Sequence, residues 1–226
     1  MSFMKTNTVD IEVDGISYNS LGDFGLAIEN TDYIGTPVQD TSGMVAVPGK
    51  SGLLDLMQGV FGSDAIFKSR PINIVFGGIR NAEDWDEEIS VFRNLFEGKS
   101  VKLWFETEPG WYWEGKAQVQ KFNHTRALGK FTFTIPSADP YKHRVRHIEV
   151  ASTAAGVTVN VPNSRRIVIP TITTDASITI VANGTTTVTF AAGTAKNINL
   201  QLEAGMNSWV ITGAANVEID YIEGSL

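Results

Sequence analysis

The chain has 226 residues, 42% of them hydrophobic, with five tryptophans and a formal net charge of −7, which argues for globular folding as one large domain or two small ones. There is no cysteine, so disulfides, thiolate metal sites and thiol nucleophiles are excluded. The first 141 residues carry 12 Lys and Arg against 19 Asp and Glu, and the rest carry six of each, so neither half has the cationic surplus that nucleic-acid binding demands; Arg144, Arg146, Arg165 and Arg166 are the only basic group.

In chain order, Val9, Ile11 and Val13 share one face of a strand whose other face is acidic, and Asp14-Gly15 supplies the positive φ angles of a tight hairpin before Ile16 and Tyr18 resume the alternation. Asn19 to Gly25 reads as a loop, followed by the short apolar set Leu26 and Ile28. From Tyr33 to Gly62 periodicity fades and glycine recurs. Val45 to Gly49 is expected to form a short strand, and the remainder a long exposed loop. That loop is either an excursion or an arm ordered on a neighbouring subunit. Its removal from about Thr36 to Gly62 is expected to leave the first domain folded.

Pro71 to Phe76 is a strand with Ile72, Ile74 and Phe76 inward, ended by Gly77 and Gly78. Trp85, Ile89, Phe92 and Phe96 then recur at helical spacing, with acids in the first turn and Gly98 as the stop, and this aromatic stripe is read as a packing face. Lys99 to Glu106 alternates Val101, Leu103 and Phe105 against polar residues. Trp111, Tyr112 and Trp113 suggest either a sugar-stacking platform or packing, in the core or at a subunit interface; alternation sends Trp111 and Trp113 one way and Tyr112 the other, which favours packing. Phe131, Phe133 and Ile135 form a strand that Pro136 and Pro140 are expected to end, marking a domain boundary at residue 141.

Beyond it, Val157–Val161, Arg166–Ile169, Ala176–Val181, Thr186–Phe190, Lys196–Leu202, Trp209–Thr212 and Val217–Ile222 are expected strands at the spacing of a β-sandwich, with Asn183-Gly184 as a hairpin turn. The fold class is therefore mainly β: an α+β first domain, 1–141, with one helix, and a β-sandwich, 142–226.

No reactive constellation emerges. The acids of the first half alternate with apolar residues or cap the helix, His143 and His147 have no third ligand indicated, and there is neither a phosphate loop nor a serine elbow. No enzyme, metal site or cofactor is expected. No run approaches the ~18 apolar residues of a membrane span, and the first residues lack an apolar signal region, so the chain is expected to start in the cytosol. The residues alone point to a non-enzymatic assembly or binding protein.

Several segments in order carry a family resemblance over essentially the whole length. They are Val47-Pro-Gly-Lys-Ser-Gly-Leu53 with Asp55, Leu95-Phe-Glu-Gly-Lys99, Leu103-Trp-Phe-Glu-Thr-Glu-Pro-Gly-Trp-Tyr-Trp-Glu-Gly115, Ala138-Asp-Pro-Tyr141, Leu200-Gln-Leu-Glu-Ala-Gly-Met-Asn207 and Tyr221-Ile-Glu-Gly-Ser-Leu226. Together they resemble the distal tail protein (Dit) family of long, non-contractile-tailed bacteriophages. Lys50 and Ser51 stand where an arginine and an aspartate are common, and Ala138 replaces a frequent cysteine.

The resemblance implies a first domain that forms a six-membered ring and a second, galectin-like or jelly-roll sandwich displayed around it. As the baseplate hub at the virion tail tip, assembled in the bacterial host cytoplasm, the ring would join the tail tube and tape measure proteins to tail-associated, receptor-binding proteins. DNA would pass through its channel without specific binding. Candidate interface residues are Val47, Pro48, Gly49, Trp111, Tyr112 and Trp113, and the strands at Lys99–Glu106 and Phe131–Ile135 are expected to offer edges for ring contacts. The alternative is a carbohydrate-binding module for host cell-wall glycans, for which Trp209, the one tryptophan of the second half, is the candidate.

Overall fold

The structure, a computed structural model, describes residues 8–30, 32–46, 53–55, 66–79, 84–120, 122–124 and 128–226. It divides into two units. The first comprises Met1–Pro109 with Trp113–Pro140, and the second Gly110–Tyr112 with Tyr141–Leu226.

The first unit opens with the expected hairpin, β1 (Val9–Val13) and β2 (Ile16–Asn19), turned by Asp14 and Gly15 at φ 52° and 80°. β1 also pairs with β7 (Ser100–Phe105), which continues to β8 (Tyr112–Lys116). A second sheet joins β3 (Ala27–Ile28), β6 (Arg70–Ile79), β11 (Leu128–Ala138) and β10 (Asn123–His124), with β9 (Gln118–Val119) also on β11. The helix α1 (Asp84–Phe96) buries Trp85, Ile89, Phe92 and Phe96, the four residues of its stripe. Phe92 meets Phe76, Phe131 and Phe133 at ring-centroid distances of 5.1–6.0 Å. Each such fully buried side chain contributes about 1.5–3 kcal/mol of transfer free energy, so this aromatic cluster is the main apolar store of the unit. Gly129 exists for close approach: a Cβ there would lie 2.6 Å from the Trp85 ring.

Several expectations are corrected here. Pro136 does not end its strand. β11 runs on to Ala138 through a register shift between Ile135 and Ala138, and a bulge is where an exposed proline is tolerated. Gly77 and Gly78 lie inside β6 rather than ending it, because Glu29 and Trp85 cover the places their side chains would fill. The stretch after Tyr33 is not all loop: Tyr33 stacks on Phe105, Lys68 and Asp40 amides bond to Val38 and Ile66 carbonyls, and β4 (Met44–Ala46) pairs with β5 (Leu53–Asp55). Neither β7 nor β11 is an edge, since each has strand neighbours on both sides.

The second unit is a two-sheet antiparallel sandwich. One sheet runs β17 (Gly193–Lys196), β14 (Thr171–Thr174), β19 (Ala215–Ser225), β12 (Lys142–Ser152); the other runs β13 (Val157–Asn163), β18 (Gly205–Thr212), β15 (Ile178–Ala182), β16 (Thr186–Phe190). Ile172, Val217 and Ile219 from the first meet Ile180, Phe190, Trp209 and Ile211 from the second in one core. The Asn183-Gly184 turn forms as expected, with φ 50° and 70°. Arg166–Ile169 and Lys196–Leu202 are not regular strands; they are joined by a single bridge, Val168 to Leu202. β12, β14 and β17 fall outside the expected strands, apart from Lys196 at the end of β17; in β12 charged residues interrupt the alternation. Among the described residues no helix is long and apolar enough to cross a membrane.

Candidate functional site

Of the candidate interface residues, Val47, Pro48 and Gly49 lie outside the described residues. The three aromatics part ways. Trp113 is 2% exposed in the first unit, with Arg70 stacked 4.1 Å from its ring centroid and its indole N–H donating to Glu108 at 3.3 Å. Burial pushes the Arg70 guanidinium below its ordinary pKa, opposed by Glu108 and Asp139. Tyr112 is 3% exposed in the second unit, paired with His143 on β12. Adjacent strand residues face opposite sides, and here both sides are covered. Tyr112 and Trp113 are thus packed within the chain, which is the core alternative of the packing expectation, and neither ring is left open at the surface as an interface candidate.

Trp111 is half-buried, and its ring is covered by Arg144 at 4.3 Å and Lys142 at 5.4 Å. A guanidinium over an indole contributes about 0.5–1 kcal/mol at such a surface site. Trp111 therefore stays accessible as part of a basic, aromatic patch.

Trp209, the candidate of the alternative glycan reading, presents no stacking surface. It is 0% exposed, inside the sandwich core, because the alternation of β18 turns Asn207, Trp209 and Ile211 inward. A sugar-stacking ring must show its face to solvent.

The sandwich instead holds two charged arrangements. Arg146 Nε donates to Glu223 Oε2 at 2.7 Å, and the Ser164 hydroxyl donates to Glu223 Oε1 at 2.5 Å. Beside them the Tyr221 hydroxyl donates to the Pro162 carbonyl, and burial raises its pKa to about 12. On the outer face of β12 and β19, His147 bonds Asp220 at 2.6 Å and Glu149 at 3.1 Å. These two carboxylates raise the His147 pKa to about 9, so the imidazole is a cation at neutral pH. One row further, Glu149 faces Glu218 directly. Beyond His147 in the other direction, Val145 and Ile222 form an exposed apolar pair. Among the described residues no three His, Asp or Glu are grouped to hold a metal ion.

Sequence reasoning missed the Arg146, Glu223 and Ser164 set. Its members lie up to 77 residues apart, and no local spacing brings them together. The outer face of the second sheet differs from the first: Thr158, Val210, Val181 and Thr187 align across it, as do Thr212, Thr179 and Thr189, with no charge among them.

The fold these features define is a mainly β chain of two units, the second an antiparallel sandwich. The SPP1 Dit protein has this fold. Its crystal structure, described as a paradigm of the hub adsorption apparatus in phages infecting Gram-positive bacteria, matches 95% of this chain and 98% of that one, with a TM-score of 0.61 at 14% identity. No protein-family model and no curated protein matches the chain.

Proposed function

We propose that this chain is a distal tail protein of a long-tailed phage, a structural hub without catalytic activity. The observation that carries the reading is the fold likeness to a phage hub over nearly the full length of both chains, and the ordered motifs from Val47 to Leu226 support it independently. In this reading residues 1–141 form a ring of six around a channel for DNA, and residues 142–226 are a galectin-like sandwich displayed on its outside. Tail tube and tape measure proteins meet the ring on one side and receptor-binding proteins on the other. The acidity of the first 141 residues suits a DNA channel, because like charge keeps DNA from adhering during ejection. A head-to-tail contact that closes gives the ring.

The test is mass by light scattering over a concentration series, with electron microscopy of the particles. A six-membered ring, alone or with the tail-tube protein, is the expected result. A monomer or two-fold dimer that persists at high concentration with that partner present overturns the reading.

A further inference from the structure

The sheet β13-β18-β15-β16 ends at β16, which pairs with β15 alone. Asn183 N–H bonds to the Ser208 carbonyl on the β18 side, and the alternation of an antiparallel ladder turns Val181 and Thr179 the same way. Their partners across the hairpin, Thr187 and Thr189, therefore direct both N–H and C=O away from β15. Those groups meet no partner among the described residues. The remaining bonds of the strand are a hydroxyl pair between Thr179 and Thr189 and a Ser177 hydroxyl on the Phe190 carbonyl.

Natural sheet edges are blunted by charge, proline, a bulge or brevity. Among the described residues most other edges follow that rule: β13 contains Pro162, β17 ends in Lys196, β3 and β10 are two residues each, and β4 and β5 are three each. The four-residue β2 ends in Asn19, whose side chain and amide are held by Asp10 and Asp23. β16 has none of these devices. No charged residue occurs from Ala176 to Ala195, a run of 20. The strand is also firmly held, since Val188 and Phe190 are buried in the core while Thr187 and Thr189 stand exposed.

We propose that β16 is a strand-addition site that takes an extended segment of a different protein, not a second copy of this chain, as a fifth strand of this sheet. Only a peptide backbone offers donors and acceptors at the spacing of the outward Thr187 and Thr189 groups. The added segment would place apolar residues beside Val188 and Phe190 and small or β-branched hydroxyl residues beside Thr187 and Thr189. It would be uncharged, because β16 provides no counter-charge and a desolvated lone charge is costly. The inference rests on the strand edge alone and not on the hub reading.

The test uses the full chain and hydrogen exchange read by mass spectrometry. The probe is a capped synthetic peptide, Ser-Ile-Thr-Ile-Val-Ala, the sequence of residues 177–182. The expected result is exchange in residues 185–191 slowed about tenfold or more, and lost both with a peptide N-methylated at alternate residues and in the variant Thr187→Pro. That variant removes an outward N–H and is tolerated at an edge. Absence of protection at millimolar peptide, protection elsewhere, or equal protection by the N-methylated peptide overturns the proposal. So does β16 already protected by a second copy, seen as a doubled mass that Thr187→Lys abolishes.

Discussion

Glu223, 3% exposed, is held by Arg146, whose side chain remains 32% exposed. The carboxylate depends on the cation more than the cation depends on it. Without Arg146 the Ser164 hydroxyl would be the remaining donor given to a buried negative charge. Arg146→Met is expected to destabilise the sandwich by about 2–3 kcal/mol, below the 3–5 kcal/mol of a fully buried broken pair because solvent already screens the arginine. Glu223→Gln is expected to cost less, since the freed arginine reaches water. Urea unfolding of the two variants checks the order; equal losses would contradict it.

His147 is expected to titrate near pH 9 in the folded chain, against 6.5 when unfolded, because Asp220 and Glu149 hold its proton. A raised folded pKa means that its contribution is complete below pH 6.5 and is lost as pH climbs from 6.5 to about 9. Asp220→Asn should lower the midpoint, and more than Glu149→Gln does, because Asp220 is the nearer partner. Imidazole resonances followed by NMR across this range give both midpoints.

Trp209→Ala is expected to lower stability by about 3–5 kcal/mol, the cost of emptying a large core site, and to do so without any saccharide present. Trp111→Ala, by contrast, removes a half-buried ring with its cation contacts and should cost about 1 kcal/mol or less. Thermal unfolding of the two variants separates a core tryptophan from a surface one.

Replacing residues 43–62 by a short Gly-Ser linker is expected to leave the unfolding temperature of the monomer nearly unchanged while weakening self-assembly. The earlier part of the same stretch must stay, because Gly35, Val38 and Asp40 exchange backbone hydrogen bonds with Pro71, Lys68 and Ile66. Circular dichroism and light scattering give the two readouts; loss of folding would show that the segment belongs to the core.

Elements whose cause is local could be read from the sequence. Asp14-Gly15 and Asn183-Gly184 specify their turns by backbone conformation, and the stripe Trp85, Ile89, Phe92, Phe96 specifies a helix face by spacing. What failed to show was whatever depends on residues distant in the chain. β12 carries Arg144, Arg146 and His147, which looks like a solvated basic segment until Trp111, Glu223 and Asp220 are brought beside them. The ordering of strands also hid, because alternation tells which face of a strand is buried but not which neighbours it pairs with; so β7 and β11 are central while β16 is an edge. Sequence by itself determined the turns, the helix and the apolar faces, since these follow from single-residue conformations and short periods. Only the tertiary structure decided which aromatics are spent in the core, which charges are paired and which backbone groups stay open, because each of those depends on partners the chain brings together from far apart.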